Sequence, residues 1–264
     1  MADTRAVLLD IDGVLTVSWE PLDGAVEALR AIRDAGLPVA LLTNTTSRTR
    51  ARIAATLSGA GFPVERDDIL TAPASAAAYL REHRPDASVS LLNSGDVAED
   101  LDGVRLVDAA GGADEQVDVV LTGGAGPEFD YRALNAAFAQ LRGGAELMAM
   151  HANLFWRTAE GLSLDSGAFL AGLELAADTR ARVLGKPAEA FFAAALDRVG
   201  VPASAAVMVG DDVESDVLGA QAHGIAGVLV RTGKFQPGHE DGVDGATPDR
   251  VIDSVARLPE LLGL

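Results

Sequence analysis

A chain of 264 residues, 48% of them hydrophobic, is long enough for one large domain or two and buries a core without staples. It has no cysteine, which excludes a disulfide scaffold, a thiol nucleophile and a zinc ribbon, and its four histidines show no helical metal-pair spacing. Thirty-nine acidic residues against 21 basic ones leave a net charge of −18, so the average surface repels a phosphate backbone and nucleic acid is not an expected partner. The N-terminal segment has no basic flank before a long apolar run, and nowhere do apolar residues approach the roughly 18 that a membrane span needs. The expectation is a cytoplasmic protein without a membrane partner. Of the basic residues 19 are Arg and only two, Lys186 and Lys234, are Lys, so a lysine here marks a place that wants a compact point charge.

Taken in chain order, the apolar run Ala6 to Leu9 reads as a buried strand that ends in Asp10, with Asp12 and Gly13 just beyond. A helical stretch from about Asp23 to Ala35 stops at Gly36, and a second apolar strand, Pro38 to Leu42, ends in Thr43 and Asn44. Ser47 opens a helix to about Ala60, closed by Gly61 and Pro63. Strands Ser88 to Leu92, Val117 to Leu121 and Glu146 to Met150 follow, with helices Tyr131 to Leu141 and Ala168 to Ala177 among them. Two late strands, Ala205 to Val209 and Ile225 to Val230, end in Gly210-Asp211-Asp212 and in Arg231. Alternation of strand and helix predicts a doubly wound parallel α/β sheet, whose ligands bind at the carboxyl ends of the strands. More than a hundred residues separate Thr43 from Lys186, too many for one crossover. We therefore expect a Rossmann-like core from 1–74 and 182–264, with 75–181 inserted as a second α/β domain.

Four motifs carry chemistry. Asp10 and Asp12 are two apart on an extended chain, with Cα atoms ~6.6 Å apart, so both carboxylates face one side; the pair suits a nucleophile and a general acid, or simply a turn after a strand. Thr43-Asn44-Thr45-Thr46 sets hydroxyls and N–H groups before a helix, a seat for an anion or an N-cap through Thr46 or Ser47. Gly185-Lys186-Pro187 places an ammonium at a helix entrance, with Pro187 suited to the first turn. Gly210-Asp211-Asp212-Val213-Glu214-Ser215-Asp216 offers the oxygen donors that Mg²⁺ prefers, or acidic residues that favour a helix dipole.

The order Asp-x-Asp, Thr, Lys, then Gly-Asp-Asp-x-x-x-Asp resembles the haloacid dehalogenase superfamily of phosphohydrolases. The insertion between Thr43 and Lys186 looks like the large C2-type cap of the NagD and p-nitrophenylphosphatase-like branch, subfamily IIA. Thr71-Ala72-Pro73, Gly161-Leu162-Ser163-Leu164, Leu173-Glu174 and Arg231-Thr232-Gly233-Lys234 look like the members related to phospholysine phosphohistidine inorganic pyrophosphate phosphatase.

The resemblance implies that Asp10 attacks phosphorus to form an aspartyl-phosphate while Asp12 protonates the leaving group and then activates water. Thr43 and Asn44 would hold phosphoryl oxygens, with Lys186 neutralising phosphate and nucleophile. Mg²⁺ would engage Asp10, the Asp12 carbonyl and Asp211, with Asp212 and Asp216 orienting ligands or waters. Trp156 and Arg157, in the segment from His151 to Arg157, would grip a substrate's leaving group or else belong to the core of the inserted domain. Lys234 matches the same members, but its place after the expected last strand speaks for structure. Gly123-Gly124-Ala125-Gly126 lacks a following Lys-Ser or Lys-Thr and reads as a turn rather than a nucleotide loop. The branch often pairs through its caps, so a homodimer by that route is also implied.

The expected activity is thus hydrolysis of small phosphorylated metabolites: phosphomonoesters, pyrophosphate or phosphoramidates. A receiver-like signalling phosphoacceptor shares Asp, Thr, Lys-Pro and Mg²⁺, but would carry its phosphoacceptor on a middle strand and needs no insertion. A catalytically inactive interaction protein of the same fold would not keep every catalytic position occupied. Repeated turnover distinguishes the enzyme from both.

Overall fold

The computed structural model describes residues 3–107, 117–158 and 161–264; the side chains of Trp156 and Arg157 lie outside the described residues. Contacts divide the chain into two compact units, one of 1–43, 50–70 and 186–264 and one of 44–49 and 71–185. In chain order the first begins with β1 (Ala6–Asp10), the short hairpin β2 (Thr16–Val17) and β3 (Glu20–Pro21), α1 (Ala25–Asp34), β4 (Val39–Thr43), α2 (Arg50–Gly59) and β5 (Ile69–Thr71). The second holds α3 (Ala72–His83), β6 (Ser88–Leu92), β7 (Arg105–Val107), β8 (Val119–Thr122), α4 (Tyr131–Arg142), β9 (Glu146–Ala149), the hairpin β10 (Phe155–Thr158) and β11 (Gly161–Leu164), α5 (Ser166–Ala177) and β12 (Arg182–Val183). The chain then returns through α6 (Glu189–Val199), β13 (Ala206–Gly210), α7 (Gly219–Ala222), β14 (Ala226–Val230), β15 (Arg250–Ile252) and α8 (Leu258–Leu262).

The first unit is built on a six-stranded sheet of order β15-β14-β13-β1-β4-β5. β1 is central and pairs in parallel with both β13 and β4, so its all-apolar run is buried on both faces. Val7 and Leu9 alternate toward one face, where Leu29 and Ile32 of α1, Ile53 and Leu57 of α2 and Leu258 of α8 cover them. On the opposite face α6 lies against β4, and Val213 and Val217 pack on Leu229. In α1, Ala25, Ala28, Leu29 and Ile32 form the buried stripe, the i, i+3, i+4, i+7 spacing of an amphipathic helix. Parallel β1, β4 and β13 all end at one edge of the sheet, which delivers Asp10, Thr43 and Gly210 together.

The second unit has its own sheet, order β12-β9-β8-β6-β7, with parallel pairings throughout. Val119 and Leu121 of β8 pack with Ala76 and Leu80 of α3, whereas Val120 faces Leu141 of α4 and Leu170 and Leu173 of α5. No helix among the described residues is long and apolar enough to cross a membrane.

Four local expectations need correcting. The helix expected from Ser47 starts at Arg50, because residues 46–49 are committed elsewhere: the Thr46 carbonyl accepts from Asn93 Nδ2 (3.0 Å) and its hydroxyl oxygen accepts from the Gly124 N–H (2.8 Å). Neither Thr46 nor Ser47 therefore caps α2, and 44–49 packs with the second unit although it interrupts the first in sequence. Pro187 is not in a first helical turn; it follows a cis peptide bond from Lys186, and Ala188 is the N-cap of α6. The acidic run after β13 winds as a π-helix, Val213–Leu218, before α7. β14 is not the last strand, since β15 pairs with it further along the chain.

Candidate active site

Asp10 closes β1, and its neighbour across the ladder on β4 is Leu42, one residue before Thr43. Both Asp10 and Thr43 are buried, as carboxyl-end residues of central strands flanked on each side must be. On the other side, β13 runs out in Gly210, so Asp211 emerges beside Asp10. Gly210 is required there: a Cβ would fall 2.2 Å from Cβ of Asp216, so only glycine lets the π-helix fold back and bring Asp216 onto the strand end.

Lys186 reaches this cluster from the segment before α6. Its Nζ donates to Asp10 Oδ1 at 2.6 Å and lies 2.7 Å from Asp216 Oδ1, with the ammonium almost fully buried. Burial opposes the lysine charge, but Asp10 and Asp216 outweigh it and hold its pKa above the ordinary range. The acids are short of positive charge. Burial pushes Asp10 up despite Lys186, pushes Asp216 up to about 7, and with the Asp10 and Asp216 charges raises Asp211 well above its ordinary value.

Oxygen atoms of Asp10, Asp211 and Asp216 lie within 4.8 Å of one another, a grouping that suits one hard cation. Oδ1 of Asp211 is buried with no hydrogen-bond partner, an arrangement that is costly without a ligand. These donors fit Mg²⁺, since all three are carboxylate oxygens.

Asp212 is placed differently. Its Oδ1 accepts from the N–H groups of Glu214 and Ser215, capping the π-helix, and its Oδ2 lies 3.4 Å from Lys234 Nζ. Burial would raise it, but Lys234 and the Ser215 N–H hold its pKa low, so it stays ionised. Asp12, just past β1, bridges to Thr16, and its side chain is open to solvent at one edge. Burial still raises its pKa, against the pull of Lys234 and the Ser18 backbone N–H.

Asn44 follows Thr43 along the chain and begins the 44–49 segment, which is grouped with the second unit and in which Thr46 is bound by Asn93 and Gly124. Phe155 to Thr158 pair with Gly161 to Leu164, placing Trp156 opposite Ser163 and Arg157 opposite Leu162 along the hairpin; where those two side chains point lies outside the described residues. Sequence reasoning missed the backbone supports: Ser18 on Asp12, and Gly13, Thr232 and Gly233 around Asp211. The Arg-Thr-Gly-Lys motif was a visible signal for the last three, but spacing alone did not say that it touches Asp211.

A sequence profile of the haloacid dehalogenase-like hydrolases matches residues 7–106, and a second profile of HAD-like hydrolases matches 183–258. Phospholysine phosphohistidine inorganic pyrophosphate phosphatase of Xenopus laevis is 34% identical over 265 residues, covering 98% of this chain and 94% of its own. Among solved structures, a p-nitrophenyl phosphatase from Archaeoglobus fulgidus superposes with a TM-score of 0.88 at 26% identity, covering 98% of this chain and 100% of its own. A glycerol phosphate phosphatase from Mycobacterium tuberculosis in complex with magnesium gives 0.85 at 27%, covering 97% and 76%. With the α/β sheet, the acidic cluster at its carboxyl edge and these similarities together, the chain belongs to the haloacid dehalogenase-like hydrolases.

Proposed function

We propose that the chain is a Mg²⁺-dependent phosphatase of small phosphorylated metabolites that works through an aspartyl-phosphate on Asp10. The observation that carries this reading is the single Lys186 ammonium shared by Asp10 and Asp216 at the carboxyl edge of the sheet, beside the unpartnered oxygen of Asp211. A carboxylate so placed is a nucleophile held in position, its charge paired with the Lys186 ammonium. That the hydrolase is a phosphatase agrees with the phosphatase names of its relatives and with a site that gathers carboxylate oxygens around a lysine.

In the first step a carboxylate oxygen of Asp10 forms a bond to phosphorus, and the bond from phosphorus to the leaving oxygen breaks. Asp12 gives that oxygen its proton, which its raised pKa allows it to carry. In the second step Asp12, now ionised, takes a proton from water; the water oxygen bonds to phosphorus, and the Asp10 carboxylate leaves, releasing inorganic phosphate. Lys186 balances the charge on Asp10 and the phosphoryl group, and the Thr43 hydroxyl and Asn44 N–H hold phosphoryl oxygens. Asp10, Asp211, Asp216 and the Asp12 carbonyl would hold Mg²⁺, with Asp212 in support, and the ion would supply the positive charge that lets an anionic substrate approach these carboxylates.

The relatives' names set the first substrate panel: p-nitrophenyl phosphate, glycerol phosphate, pyrophosphate and phospho-amino acids with P–N bonds. Trp156 and Arg157 are the residues we assign to leaving-group choice within it. Phosphate release from p-nitrophenyl phosphate that requires Mg²⁺, stops with excess chelator and is lost in Asp10→Asn supports the reading. Undiminished turnover in chelator, or in Asp10→Asn, refutes it. A cytoplasmic location and pairing through the inserted unit belong to the same proposal; Leu154, Phe155 and Leu164 leave apolar side chains exposed at its hairpin, and light scattering on the purified chain tests the pairing.

A further inference from the structure

Asp211 offers one carboxylate oxygen to the cluster because something else holds the other. Its Oδ2 accepts from the backbone N–H of Lys234 at 2.7 Å, while Oδ1 is buried and unpartnered. That same Oδ2 occupies the place where two side chains would otherwise begin: a Cβ on Gly13 would lie 1.9 Å from it and a Cβ on Gly233 2.0 Å from it. The two glycines pack α-carbon against α-carbon, with φ of 88° and 61°, which glycine adopts freely and other residues rarely. Thr232 Oγ1 donates to the Gly13 carbonyl and closes the ring, so the loop after β14 and the turn after Asp12 grip one carboxylate between them.

We propose that the Thr232-Gly233-Lys234 turn is a positioning clamp for Asp211, whose backbone N–H and missing Cβ fix Oδ2 so that Oδ1 alone faces the metal. The clamp rests on the reading of Asp211 as a metal ligand. Lys234 therefore serves through its backbone, and its ammonium, 3.4 Å from Asp212, does a separate job. A partner that orients a metal-ligating group characteristically contributes roughly 10- to 100-fold to metal affinity.

The test is calorimetric titration of the purified full chain with MgCl₂ alone, with melting temperature as the check on folding. Asp211→Asn should abolish binding. Gly233→Ala, which puts a methyl group on Oδ2, should weaken it about 10- to 100-fold, and Thr232→Val, which removes only the closing hydrogen bond, by about threefold or more. Lys234→Met keeps the N–H and removes a repelling cation, so Mg²⁺ should bind as tightly as in the wild type or tighter. The clamp is overturned if Asp211→Asn loses Mg²⁺ while folded Gly233→Ala and Thr232→Val both stay within about twofold of wild type, or if Lys234→Met loses as much as Gly233→Ala. If Gly233→Ala does not fold, Thr232→Val decides alone. Wild-type binding by Asp211→Asn removes the metal-site reading and the clamp with it.

Discussion

Nζ of Lys186 lies 2.6 Å from Oδ1 of Asp10, and because both are buried neither charge has a substitute partner in water. Removing one member of a buried ion pair strands the other at a cost of about 3–5 kcal/mol, whereas an exposed pair would lose little. Lys186→Met should therefore lower the melting temperature of the metal-free protein and cut kcat by roughly 10²- to 10³-fold. Lys186→Arg should not rescue turnover, because a planar fork cannot sit at short range to Asp10 and Asp216 as a point charge does. Thermal unfolding and steady-state kinetics on both variants check this; full activity in Lys186→Arg would contradict it.

Without metal, stability should fall as pH rises toward neutrality. Asp216 is pushed up to about 7 from an ordinary 3.8, and Asp10 and Asp211 are raised as well, so the folded chain holds protons that the unfolded chain gives up. Such groups stabilise fully below their unfolded pKa, and that contribution is lost as pH climbs through the folded one, here a window from about 4 to about 7. Under the proposed function a bound Mg²⁺ would replace the lost protons. The rise in melting temperature on adding Mg²⁺ should be larger at about pH 8 than at about pH 5.5, and an equal rise at both would count against the cluster as the metal site.

Asp10 and Asp12 should fail differently. Asp10→Asn removes the nucleophile and should abolish both turnover and phosphoryl-enzyme. Asp12→Asn removes the acid of the first step and the base of the second, so turnover should fall for every substrate, while formation of the phosphoryl-enzyme should slow little for a good leaving group such as p-nitrophenolate and roughly 10²-fold or more for an alkyl phosphate. Rates of that formation step, measured across leaving groups of graded pKa, decide it; a flat profile for Asp12→Asn would deny its acid role.

Asn93 ties three backbone segments: its Nδ2 donates to the carbonyls of Thr46 and Gly95, and its Oδ1 accepts from the Gly124 N–H at 2.9 Å. Asn93→Ala should loosen 44–49, which follows Thr43 along the chain, and cost about 1–3 kcal/mol of stability through the unsatisfied partners. Inhibition by inorganic phosphate should weaken several-fold while Mg²⁺ affinity is unchanged. A parallel loss of both would mean that the variant disturbs the whole site and not the phosphate-holding segment.

Much was legible in the sequence because local chemistry decided it. Apolar runs such as Ala6 to Leu9 and Ala205 to Val209 mark strands buried on both faces, and such strands end at one edge of a parallel sheet, which groups Asp10, Thr43 and Asp211 from the sequence. Lys186 stood out in a chain that otherwise uses arginine. The tertiary structure decided what depends on contacts between distant residues. Thr46 reads as a helix cap by its neighbours, yet its hydroxyl oxygen accepts from Gly124, 78 positions away, and the helix starts later. Asp212 and Asp216 look equivalent in an acidic run, but the π-helix turns Asp216 onto Lys186 and leaves Asp212 as its cap. Lys234 looked like structure after the last strand, and its backbone N–H proves to hold Asp211. Periodicity and end signals report what a residue prefers within a few neighbours; which long-range partner satisfies a buried polar atom is settled only when segments far apart in sequence close around it.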